Sequence, residues 1–132
     1  MIQALSSPKL PKPRFPYSPV IQAGDWILFS GMIALDAASG ALTSGGPGPE
    51  TERILANVVA ALPDFGLTLA DLGVARIFTT RWNEFPAINA AWQKALAEVA
   101  IPPARTSVGV VALPLGATVE IEFGFYKEQA RE

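Results

Sequence analysis

The patterning of this chain predicts an α+β domain, with two helices packed on one face of a mixed β-sheet. Three observations carry that prediction. Two stretches, Ile54 to Leu62 and Ile88 to Val99, place apolar residues at three- and four-residue spacing. Strand-like runs stand before, between and after them, in the order two or three strands, helix, strand, helix, two strands. The 132 residues show no internal repeat and fit one domain, 1–132.

Residues 1–19 read as an extended, proline-rich arm. Pro8, Pro11, Pro13, Pro16 and Pro19 fix φ and remove backbone donors, which disfavours a helix. Val20-Ile21-Gln22 opens a strand, Ala23-Gly24-Asp25 turns the chain, and Trp26 to Ile33 is an apolar, β-prone run. Gly31 interrupts this run, as a glycine does at a bulge or where backbone approaches a ligand. The glycines and prolines between Asp36 and Pro49 make a loop. Glu50-Thr51-Glu52 then suits a first helical turn, and Ile54, Leu55, Val58, Val59 and Leu62 form its apolar stripe. Pro63 ends or kinks that helix and Gly66 closes it.

Thr68 is placed to cap a short turn through Leu72, and Val74 to Arg81 alternates weakly as a strand. Asn83 is the expected cap of the second helix, with Pro86 in its first turn. Ile88, Trp92, Leu96 and Val99 share one face, and Ile101-Pro102-Pro103 stops the helix. Two strands remain, near Thr106–Val111 and Thr118–Tyr126, separated by Pro114-Leu115-Gly116. In the last, Val119, Ile121, Phe123 and Phe125 point one way, and Glu120 and Glu122 point the other.

Composition narrows the chemistry. With no histidine and no cysteine, disulfides, thiolate zinc sites and most general bases and nucleophiles are excluded. No metal or cofactor is expected. Half the residues are hydrophobic, 17% are charged and the mean hydropathy is +0.31, so some apolar surface is expected to be covered by other subunits. A net charge of −2 and a pI near 5.1 leave no electrostatic footprint for nucleic acid. Lys9, Lys12 and Arg14 cluster in the arm and read as a solvated tail. Met1 to Pro11 lacks the organisation of a signal peptide, and no apolar run approaches the ~20 residues of a membrane span. A cytoplasmic location, without membrane partners, is the expectation.

What remains for chemistry is an Arg/Glu pair among apolar residues, Arg105 in Pro103-Ala104-Arg105-Thr106-Ser107 and Glu120 in Val119-Glu120-Ile121-Glu122. A guanidinium clamps a carboxylate with a planar fork of donors, and a glutamate moves a proton or orients water. The pair suits a small anionic substrate. A structural ion pair between Arg105 and Glu120 or Glu122 is the plainer alternative.

Over nearly its whole length the chain resembles the Rid family, the reactive intermediate deaminases also called YjgF/YER057c/UK114. The marks are Pro16-Tyr17-Ser18, Gly24-Asp25 leading to Phe29-Ser30-Gly31, Ile33-Ala34-Leu35-Asp36, and Phe85 with Asn89. They end with Pro103 to Val110 and Leu113 to Glu122. The resemblance implies a chorismate-mutase-like fold, a homotrimer with clefts between subunits, and cofactor-free hydrolysis of 2-imino or enamine acids to 2-keto acids and ammonia. It places carboxylate binding on Arg105 and the hydrolytic water on Glu120. Tyr17, Ser30, Gly31 and Asn89 match other cleft positions, and Ser107 stands where the family often has cysteine. Phe15, in place of the usual glycine, and Trp82, at a site that tends to be less bulky, are departures that bear on the substrate. A pathway-specific deaminase of a larger, aminomuconate-type enamine and a non-catalytic trimer that binds small carboxylates are the alternatives. A ribonuclease role fits poorly with an acidic chain that lacks histidine.

Overall fold

The two-residue alternation at the end of the chain decides which face of the sheet becomes the core. The structure, a computed structural model, describes residues 1–128. Its elements are β1 (Ile2–Leu5), β2 (Val20–Ala23), β3 (Trp26–Met32), α1 (Pro47–Ala61), β4 (Leu72–Thr79), α2 (Phe85–Ala95), β5 (Ala104–Gly109) and β6 (Val119–Tyr126). The six strands form one sheet in the order β1-β2-β3-β6-β4-β5. Only β4 and β5, joined through α2, run parallel; the other neighbours are antiparallel.

The last strand to be made is therefore near the middle of the sheet. Val119, Ile121, Phe123 and Phe125 of β6 are all buried, beneath Ile54, Leu55 and Val58 of α1 and Ile88 and Trp92 of α2. Phe29 anchors the centre, with ring centroids 5.6 Å from Phe65, 6.2 Å from Phe123 and 5.3 Å from Phe125. Edge and tilted pairs of this kind add about 0.5–1.5 kcal/mol each beyond their buried area. Among the described residues the opposite face carries no helix, and Trp26, Leu28, Val108 and Tyr126 stand partly exposed on the strands.

Local signals placed most of the joints. Gly24 turns between β2 and β3 with φ 62°, and the β3–β6 register shifts between Phe29 and Met32, around Gly31. Pro63 converts the end of α1 into a 3-10 turn, Leu62–Phe65, closed by Gly66 at φ 70°. Thr68 and Asp71 form a reciprocal capping box ahead of β4.

Several expectations are corrected. The head of the extended arm is itself an edge strand, Ile2–Leu5, paired with Val20–Ala23, which the arm reading did not specify. That pairing depends on a distant partner, which local pattern does not reveal. Helix α1 begins at Pro47, three residues early, because proline lacks the N–H that a first turn leaves unpaired. Val59 points outward and is exposed rather than part of the core stripe. Asn83 caps nothing; it lies within a 3-10 turn, Trp82–Glu84, that leads into α2, with Glu84 at the cap position. Strands β4 and β5 each begin two residues earlier than the alternation suggested and end two earlier, at Thr79 and Gly109.

Candidate functional site: two half-sites on opposite faces

Arg105 lies on β5, a sheet edge, in register with Ala75 of β4, which itself faces Phe123 of β6. That register puts its side chain on the helix-covered face. There Nη2 donates to Oδ1 of Asn89 at 2.9 Å. The guanidinium carbon is 5.6 Å from the Phe85 ring centroid and 5.4 Å from that of Trp92. Phe85, Asn89 and Trp92 recur at four- and three-residue intervals, so α2 presents them on one face as a cradle. The amide and the two rings orient the planar fork of donors along the sheet edge. Ser107, half-buried, follows on the same side of β5. Trp82 lays its ring 4.7 Å from that of Phe85 and borders Gly109, which extends the aromatic row past the end of β5.

Glu120 is in register with Phe78 of β4, which faces Val108 of β5. Successive strand residues alternate, so its carboxyl projects from the bare face, opposite to Arg105. The expected pair is thus brought together neither as an ion pair nor as a single site within one chain. The carboxyl rests against the β3 bulge: a Cβ added at Gly31 would stand 2.9 Å from Cδ of Glu120 and would collide with its Oε1. Gly31 is needed for that close approach. Half-burial, and then the charge of Glu122 nearby, push the Glu120 carboxyl above the ordinary glutamate range.

Beside it, Ser30 donates through N–H to the carbonyl of Pro19 at 2.8 Å and through Oγ to that of Ser18 at 2.6 Å. These bonds fasten the arm across the bulge. Tyr17, largely exposed, lines a cavity of about 50 Å³ with Pro11, Lys12, Pro19 and Gly31. The residues expected from the sequence therefore fall into two groups. Tyr17, Ser30, Gly31 and Glu120 gather around the bulge, while Arg105, Asn89 and Ser107 line the edge formed by β5 and α2. Roomier concavities of about 380 Å³ lie between α1 and α2 and between the arm and the Asp36–Gly40 loop, and neither includes Arg105 or Glu120.

Sequence reasoning missed two features. Trp92 was legible as core, yet it also carries the guanidinium; its spacing from Phe85 and Asn89 was the available signal. Glu50 was read as an ordinary first-turn acid, but it is buried and bonded to the start of β6. Among the described residues, no group of three or more His, Cys, Asp or Glu side chains could hold a metal ion, and no helix is long and apolar enough to cross a membrane.

A six-stranded mixed sheet with both helices on one face defines the class: a small α+β domain of chorismate-mutase-like fold. The chain belongs to the family described as Endoribonuclease L-PSP, which matches residues 7–124, and within it to the Rid, or RutC, proteins. It is 33% identical over 118 residues to a 2-iminobutanoate/2-iminopropanoate deaminase of Dermatophagoides farinae, covering 89% of this chain and 91% of that protein. A RutC family protein of Pyrococcus abyssi is 31% identical over 126 residues, covering 96% and 98%. The crystal structure of the Rid family protein YyfA from Yersinia pestis superposes with a TM-score of 0.91 at 29% identity, covering 96% of this chain and all of that one.

Proposed function

We propose that this protein hydrolyses reactive 2-imino or enamine acids to 2-keto acids and ammonia, without a cofactor, in clefts between subunits of a homotrimer. The observation that carries the reading is the exposed Arg105 guanidinium at a sheet edge, hydrogen-bonded to Asn89 and lying over the rings of Phe85 and Trp92. Relatives named as imine deaminases support the reaction class. Arg105 receives the substrate carboxylate through its fork of donors and fixes the C=N carbon. Because Glu120 leaves the opposite face of its own sheet, the glutamate that meets this carbon belongs to a neighbouring subunit. The partly exposed apolar side chains on the bare face, Trp26, Leu28, Val108 and Tyr126, supply surface for that association.

Water then adds to the imine carbon while the nitrogen takes up a proton. The carbinolamine loses ammonia as its C–N bond breaks and the C=O bond forms. A glutamate pushed above its ordinary pKa can accept a proton from water and return it to the leaving nitrogen. Acid–base assistance of about 10²–10⁴-fold is sufficient for a substrate already unstable in water.

The test is ammonia release from 2-iminobutanoate generated in situ by an amino-acid oxidase. Arg105→Ala and Glu120→Gln should each lower kcat/KM by about 10²-fold or more. Wild-type rates in Arg105→Ala would sink the clamp. Binding of 2-ketobutyrate without turnover by the wild-type protein would favour the non-catalytic carboxylate-binding trimer. Faster turnover of a larger, ring-cleavage enamine would point instead to the aminomuconate-type reaction, with Trp82 as a wall of its pocket.

A further inference from the structure

Glu50, in the first turns of α1, is 2% exposed. Its Oε1 accepts from the backbone N–H of Thr118 at 2.8 Å and of Val119 at 3.3 Å, and Oε2 accepts from the Thr118 hydroxyl at 2.5 Å. Three donors and the positive end of a helix dipole offset the cost of burying the charge. The other side of Thr118 is held as firmly. Its carbonyl accepts from Oγ1 of Thr79 at 2.7 Å and from the backbone N–H of Thr80 at 3.1 Å. Thr79 Oγ1 also accepts from the N–H of Arg81 at 3.1 Å, and the Thr79 carbonyl accepts from the N–H of Val110 at 2.9 Å, just past β5.

Helix α1, the end of β4 and the exit of β5 therefore converge on the residue two before Glu120. Only one residue separates this knot from the glutamate, and the room for Glu120 at Gly31 is tight. A displacement of the strand entry carries directly to the carboxyl. We propose that Glu50 is a positioning residue that sets where Glu120 sits over the β3 bulge, by its reach and not by its charge. The inference rests on the role assigned to Glu120 under the proposed function.

Glutamine keeps the reach. Its carbonyl accepts from the two backbone N–H groups and its amide donates to the Thr118 hydroxyl, which turns to accept. Aspartate keeps the charge but is one methylene short, so the strand entry must move or lose a partner. Two readouts are taken on Glu50→Gln and Glu50→Asp: steady-state imine hydrolysis, and the titration of Glu120 followed by carboxyl ¹³C NMR of the whole protein. Glu50→Asp should lower kcat by roughly tenfold to 10²-fold, the scale of a 1 Å misplacement, while KM, set by Arg105, stays within about twofold. Its Glu120 titration should move down, towards the ordinary glutamate range. Glu50→Gln should restore both to near wild type.

A folded Glu50→Asp protein with wild-type kcat and an unmoved Glu120 titration overturns the inference. Loss of activity in Glu50→Gln equal to that in Glu50→Asp overturns the claim that reach matters. If Glu50→Asp does not fold, Thr118→Val, which removes one donor only, must show the same two changes in smaller degree; without them the inference fails. If the wild-type protein turns over no imine, the proposed function fails, while the titration still decides whether Glu50 positions Glu120.

Discussion

Replacing Arg105 with lysine probes the cradle more sharply than removing the charge. Lysine retains the cation but offers a point-like ammonium in place of a flat fork. In the structure the guanidinium donates a 2.9 Å hydrogen bond to Asn89 and lies 5.6 and 5.4 Å from the centroids of Phe85 and Trp92. A hydrogen bond to a charged group contributes about 1.5–3 kcal/mol. The two ring contacts contribute about 0.5–1 kcal/mol each at a partly open site, and lysine would keep a part of them. The expected loss is therefore about 2–4 kcal/mol in positioning the substrate carboxylate. At about 1.4 kcal/mol per factor of ten, kcat/KM for 2-iminobutanoate should fall roughly 30- to 1,000-fold. Ammonia release coupled to glutamate dehydrogenase measures it, with circular dichroism to verify the fold. A lysine variant within threefold of wild type would refute the reasoning, because a diffuse positive charge would then suffice and the cradle would be incidental.

Other outcomes follow from the same geometry. Gly31→Ala places a methyl 2.9 Å from Cδ of Glu120, so the carboxyl must shift; kcat should drop by roughly 10²-fold while 2-ketobutyrate binding, read by calorimetry, is little changed. Glu120→Gln should raise the melting temperature at pH 7, since the fold disfavours the ionised form; that advantage should close as pH falls below about 4.3, where the wild-type carboxyl is protonated whether folded or not. An unchanged melting temperature across that range would show that Glu120 is not desolvated. Phe125→Ala removes a fully buried ring from the Phe29 cluster and should cost about 3–5 kcal/mol in urea unfolding at fixed protein concentration.

Where side-chain period and turn chemistry speak locally, the sequence was a sufficient guide. The inward row of β6, the break at Pro63, the turn at Gly24 and the Thr68 cap all follow from residues within one turn or one strand of each other. What the sequence concealed depends on partners far along the chain. β1 exists because Val20–Ala23 offers it an edge, some fifteen residues on. The buried role of Glu50 needs Thr118, 68 residues away. Arg105 and Glu120 both looked central to one site. That they leave opposite faces depends on strand order, with β4 between β5 and β6 and registers that pair Arg105 with Ala75 but Glu120 with Phe78. Hydrophobic pattern fixes a strand's own two faces; it does not say which face of one strand aligns with which of another.

The partition of Arg105 and Glu120 between two faces makes catalysis, on the proposed reading, a property shared among chains and not owned by any of them. Two inactive proteins should then repair each other. Subunits carrying Arg105→Ala still bring an intact glutamate, and subunits carrying Glu120→Gln still bring an intact arginine. Unfolded together in equal amounts and refolded, they should rebuild complete clefts in roughly a quarter of the sites of randomly mixed trimers. Activity would emerge from a mixture whose two components, refolded apart, have almost none. A site confined to one chain could not be revived in this way.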